Sequence, residues 1–147
     1  MTPDFSYSKG RVISSVNFIL KEMDDFNTYF SSITWQDYRM LEPLKLKALE
    51  KTVENILTAL IEISGVIVVE ENKQIDDYAT VIEQASLCIG LTNNEASQLA
   101  KLARQRNRLA HRYLDFKWEA IKSYMDTRNS IKHFLQLATI REEKKLQ

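Results

Sequence analysis

Cysteine occurs once in this chain, at Cys88, which removes an internal disulfide and a cysteine-rich zinc site at a stroke. A reducing compartment fits that usage. Glycine and proline are almost as scarce, with Gly10, Gly65 and Gly90 against Pro3 and Pro43. So little punctuation excludes a sandwich or barrel built on many tight turns and favours long helices. Net charge is absent as well: 20 basic residues meet 20 acidic ones. A protein that coats nucleic acid by bulk charge would carry a basic excess, so any phosphate binding is expected to be local and DNA is not an expected partner. No apolar run approaches the roughly 20 residues of a membrane helix, and Met1 to Lys9 lacks the apolar stretch of a secretion signal. The expectation is a soluble, cytoplasmic protein without a membrane partner.

What is present is helical periodicity. Val12, Val16, Ile19, Met23, Phe26 and Phe30 step by fours and threes, the spacing that lines one helix face. Leu49, Val53, Ile56, Leu60 and Ile63 repeat the pattern in a helix whose first turn is expected at Pro43. Thr34 to Asp37 suits the cap of a short turn before it. Ile61 to Val69 is rich in β-branched residues and is open to a strand reading, yet a lone strand would leave its backbone groups unpaired, so helix is favoured. A third helix is expected over Ile75 to Ile89, stopping at Gly90. A fourth, capped by Asn93 or Asn94, is expected to run to about Tyr113. A fifth is expected from about Lys117 to Ala138, with Ile121, Met125, Ile131 and Leu135 inward. The 147 residues suit one domain, all-α, an up-and-down bundle of four to five helices with residues 1–8 and 141–147 frayed.

The chemistry concentrates in Arg106-Asn107-Arg108-Leu109-Ala110-His111-Arg112-Tyr113. On a continuous helix Arg106 shares a face with Leu102, Leu109, Ala110 and Tyr113, placing a cation on an apolar stripe. Asn107 and His111, four apart, would stack, so the amide could orient the imidazole. From Lys101 to Lys117 the cations Lys101, Arg104, Arg106, Arg108, Arg112 and Lys117 face the single acid Asp115. Phosphate matches such a patch, since guanidinium donates paired hydrogen bonds to its oxygens. Structural readings of the same residues are arginines solvating a helix face, His111 favoured by a helix-end dipole, and Tyr113 packed in the core. His133, between Lys132 and Phe134, reads as a surface residue. Two histidines on different helices offer little for a metal, and neither a metal nor a cofactor is expected.

The string Arg-Asn-x-x-x-His-x-Tyr over 106–113 resembles the HEPN superfamily, and within it the HepT-like group. The likeness extends from about Lys9 to Leu137. It includes Leu-Glu-Lys-Thr-Val-Glu-Asn-Ile-Leu at 49–57 and Leu-Ala-Lys-Leu-Ala at 99–103, with Ala110 where the group often has valine. The resemblance implies a homodimer whose motif segments face each other across a cleft, a metal-independent endoribonuclease toxin, and an MNT-type nucleotidyltransferase antitoxin as partner. It implies that two copies of Arg106 and His111 make one composite site; residue chemistry then suggests His111 as general base or acid, Arg106 stabilising the phosphate, Asn107 orienting His111 or donating to a phosphate oxygen, and Arg104, Arg108 and Arg112 binding RNA phosphates. Tyr113 matches the position that the group modifies with AMP. A different class stays open: a non-catalytic, nucleotidyltransferase-associated subunit that binds substrate or nucleotide through the same residues.

Overall fold

The computed structural model describes residues 5–74 and 77–145, with side chains from residue 10 onward. Its helices are α1 (Phe5–Phe30), α2 (Trp35–Arg39), α3 (Pro43–Glu70), α4 (Tyr78–Ile89), α5 (Asn93–Arg104), α6 (Arg106–Leu109) and α7 (Leu114–Lys145). The all-α expectation is met.

Each helix begins and ends for a local reason. Thr34 and Asp37 form a reciprocal capping box on α2, and Pro43 opens α3 at a position where a missing amide costs nothing. The expected start of the next helix at Ile75 lies outside the described residues; α4 is capped at Asp77, whose side chain accepts from the Thr80 amide, and begins at Tyr78. It stops at Gly90, whose φ of 108° is left-handed and suits a residue without Cβ. The next cap is Thr92, not Asn93 or Asn94: its hydroxyl accepts from the Glu95 amide while the Glu95 carboxylate accepts from the Thr92 amide. The β-branched run 61–69 is helical throughout, inside α3.

Polar contacts fix the directions. Asn55 on α3 donates to Glu22 on α1. Lys117 pairs with Glu50, and Arg141 with Glu70 and Glu71, so α7 runs in the same sense as α3. Ser130 donates to Gln98 and His133 meets Glu95, so α5 and α7 are antiparallel. Val12, Val16, Ile19, Met23 and Phe26 of α1 are buried, as are Leu49, Val53, Ile56, Leu60 and Ile63 of α3. Between α1 and α7, the rings of Phe26 and Tyr124 meet edge-on with centroids 4.8 Å apart. Ile121, Ile131 and Leu135 are buried on α7 as expected, and Met125 is only partly so.

Three expectations need correction. The segment 141–145 is not frayed: α7 continues to Lys145, Glu142 is 2% exposed, and Lys145 pairs with both Glu70 and Glu142. Residues 146–147 and 1–4 lie outside the described residues, and α1 is already helical at Phe5. Second, α3 is long and apolar enough by composition to cross a membrane, with a mean hydropathy of 1.7 over its most apolar window, half of which is buried in the bundle. Third, α7 starts at Leu114, three residues before the expected Lys117.

The Glu95 carboxylate serves two partners, which makes it a pH-sensitive point of the fold. The His133 ring N–H donating at 2.6 Å, followed by the Thr92 amide, holds this carboxyl below its usual range. Its contribution is therefore complete at neutral pH and is lost as pH falls through that lowered value. Glu95→Ala should cost about 1 kcal/mol at pH 7, as capping-box losses do, and the gap to the unsubstituted protein should narrow in acid. Urea unfolding at a series of pH values checks this; a gap independent of pH would contradict it.

Candidate active site

The motif occupies the connection between two antiparallel helices, not the end of one long helix. α5 terminates at Arg104 with Gln105 as its cap, α6 is a single turn, and residues 111–113 bend into α7. Neither glycine nor proline causes the break. α7 must return along α5 to bury Ala120, Ile121 and Tyr124, so the chain has to turn here. On a continuous helix Arg104, Arg108 and Arg112 would share one face, but Arg106 would point the opposite way, onto the side of the buried Leu99, Leu102 and Ala103. The backbone tightens instead: Arg108 donates to the Gln105 carbonyl, Ala110 to Asn107 and His111 to Arg108, each three residues back.

Leu109, 7% exposed, anchors this connector to the core. Its neighbours divide. Arg106 is half-buried, with its guanidinium carbon 5.4 Å from the centroid of the Tyr78 ring. It lines an open groove of about 490 Å³ whose other walls include Ser14, Ser15 and Phe18 of α1 and Glu54, Asn55 and Glu62 of α3. His111 takes another direction. Its ring lies 5.0 Å from the Tyr113 ring and 4.6 Å from the Phe116 ring. Arg112 caps the outer side of Tyr113 at 5.4 Å and Arg108 that of Phe116 at 5.7 Å. The Tyr113 and Phe116 rings are themselves 6.1 Å apart, so the three rings form a triangular exposed cluster, with Arg112 packed on Tyr113 and Arg108 on Phe116.

The expected stripe of Arg106 with Ala110 and Tyr113 does not form, since both of those residues are exposed once the helix bends. The expected bond from Asn107 to His111 is also absent among the described residues. The Tyr113 amide donates to His111 Nδ1 at 3.4 Å instead, so the neutral ring carries its proton on Nε2. Asn107 is exposed beside the connector. Arg104 ends α5 opposite Asp77, whose carboxyl is lowered chiefly by bonds from Thr80, with Arg104 adding a smaller pull. Lys117 is engaged by Glu50, which leaves Arg108 and Arg112 as the cations flanking the imidazole. Among the described residues no three His, Cys, Asp or Glu side chains gather as metal ligands would. Cys88 is exposed.

Sequence spacing missed Phe116 and Tyr78, because their roles arise only after the bend and the packing of α4. It missed the His133 and Glu95 pair as well, since 38 residues separate the two. A family model described as Ribonuclease HepT-like matches residues 19–138. The chain belongs to the HepT-like ribonuclease family. Its helical architecture agrees with that HEPN-type family. The family match covers α2 to α6 entirely, with the C-terminal part of α1 and most of α7. No curated protein and no solved structure matches the chain.

Proposed function

We propose that this chain is a metal-independent endoribonuclease toxin whose active site is completed by a second copy of itself. The observation that carries this reading is the divergence of Arg106 and His111 within one chain. Arg106 turns toward Tyr78 and the groove between α1 and α3, whereas His111 sits among the Tyr113 and Phe116 rings, outside that groove. A two-fold axis near residues 106–116 brings the arginine of one copy toward the histidine of the other. Tyr113, Leu114 and Phe116 are exposed apolar residues at that place, suited to partial burial against a partner.

The reaction needs only these groups. His111 takes the proton of an RNA 2′-hydroxyl on Nδ1, whose long bond to the Tyr113 amide gives way, as that oxygen attacks the adjacent phosphorus; the bond from phosphorus to the 5′-oxygen breaks, and the departing oxygen takes a proton from the imidazolium. Arg106 offsets the added negative charge on the phosphate in the transition state. Asn107 stands where its amide can reach a phosphate oxygen, and Arg104, Arg108 and Arg112 hold neighbouring phosphates. The products are a 2′,3′-cyclic phosphate and a 5′-hydroxyl. Such an enzyme works in the cytoplasm, without a cofactor.

Restraint falls to an MNT-type nucleotidyltransferase antitoxin. Tyr113 is 51% exposed, so its hydroxyl can attack the α-phosphorus of ATP in the partner's active site and release pyrophosphate. The resulting AMP group places bulk and negative charge between Arg112 and His111, repelling RNA from the site. The alternative, a substrate-binding subunit with no catalysis, gives no reason for an imidazole packed in the corner of two rings.

Purified protein should cleave single-stranded RNA in EDTA and leave cyclic phosphate ends, and His111→Ala should lower the rate by at least about a hundredfold. Wild-type cleavage by His111→Ala would reject the catalytic assignment. With its nucleotidyltransferase, ATP and magnesium, the chain should gain mass in adenylyl steps. A Tyr113→Phe variant gaining the same mass at the same rate would reject the modification site.

A further inference from the structure

His111 is an exposed residue on a bend, a poor place to hold a catalytic ring in one orientation. A surface side chain free to change rotamer spends much of its time misaligned, and misplacement of about an ångström can cost two orders of magnitude in rate. The Asn107 amide does not hold it, and the Tyr113 amide bond at 3.4 Å is long. The closest ring contact of the imidazole is Phe116, at 4.6 Å and a 51° tilt. Phe116 lies in the first turn of α7, which packs against every other helix of the bundle. Its backbone is held in that helix, whereas that of His111 lies on the bend.

We infer that Phe116 is the positioning residue for His111. Its ring and the Tyr113 ring, 6.1 Å apart, meet the imidazole from adjacent directions and form a corner for it, and Arg108 packs against the Phe116 ring at 5.7 Å. The backbone bond sets the tautomer; the two rings set the plane. Phe116 is 39% exposed, so it contributes little to the core, and its contacts run to the site instead. This inference rests on His111 acting in cleavage as proposed above, and it adds a residue outside the motif to the machinery.

The test uses the intact dimer, single-stranded RNA and two readouts. The chain has only two histidines, so the ring protons of His111 and His133 are readily told apart by NMR. In Phe116→Ala and Phe116→Leu the His111 ring resonances should shift while those of His133 stay in place. The single-turnover rate at saturating RNA should fall about tenfold with RNA affinity unchanged. Phe116→Tyr, which keeps the ring, should restore both. Unmoved His111 resonances with a wild-type rate in Phe116→Ala would overturn the inference. So would weakened RNA binding with the saturated rate intact, which would make Phe116 a base-stacking surface. If the unsubstituted protein leaves RNA uncut while its His111 resonances still respond to Phe116, the ribonuclease reading fails and the positioning contact stands.

Discussion

The constraint on which the structure turns is the return of α7 along α5. α7 packs against every other long helix, and its inner residues Ala120, Ile121, Tyr124, Ile131 and Phe134 are closed off from solvent. Burying that stripe is worth on the order of 25 cal/mol for each Å² of apolar surface. To achieve it, the chain must reverse within the few residues after Arg104. The motif is that reversal. Its polar residues occupy a connector because a connector can leave side chains in solvent, and Leu109 alone ties it to the interior.

From the reversal follows the division of the site. A straight helix through residues 93–113 would have set Asn107 beneath His111 and Arg106 along the apolar stripe. The single turn of α6 and the bend at 111–113 redirect them: Arg106 to α4 and the α1–α3 groove, His111 into the cluster with Tyr113 and Phe116. One chain therefore sends Arg106 and His111 to different surroundings, and the proposed ribonuclease would need a second copy to bring them together. The HepT-like family supplies the ribonuclease context, and the divergence supplies the reason for a second subunit.

Much of the bundle was legible because burial and periodicity coincide. Every residue named on the α1 stripe from Val12 to Phe26, and every one named on α3, is buried. Pro43, Gly90 and the Thr34 to Asp37 box mark helix ends that their chemistry dictates. The break at Gln105 was not legible, since it has no glycine or proline to announce it and arises from where α7 must go. Thr92 lay one or two residues from the caps expected, a shift decided by which side chain reaches an amide first. The charged end of α7 looked like a tail because its partners Glu70 and Glu71 are remote in sequence. At the site, the motif residues were found by type and spacing. Phe116 was not, because an aromatic at the start of an amphipathic helix carries no signal until the bend brings it to His111.

The central claim is that Arg106 and His111 act across two copies of the chain, and mixed dimers test it directly. Arg106→Ala and His111→Ala, each without activity alone, should regain cleavage when combined in one dimer, because the intact arginine of one copy meets the intact histidine of the other. Recovery to a substantial fraction of the unsubstituted rate is the predicted result. Mixed dimers that form yet remain as inactive as either parent would contradict it, and would place both residues in the same site on the same chain.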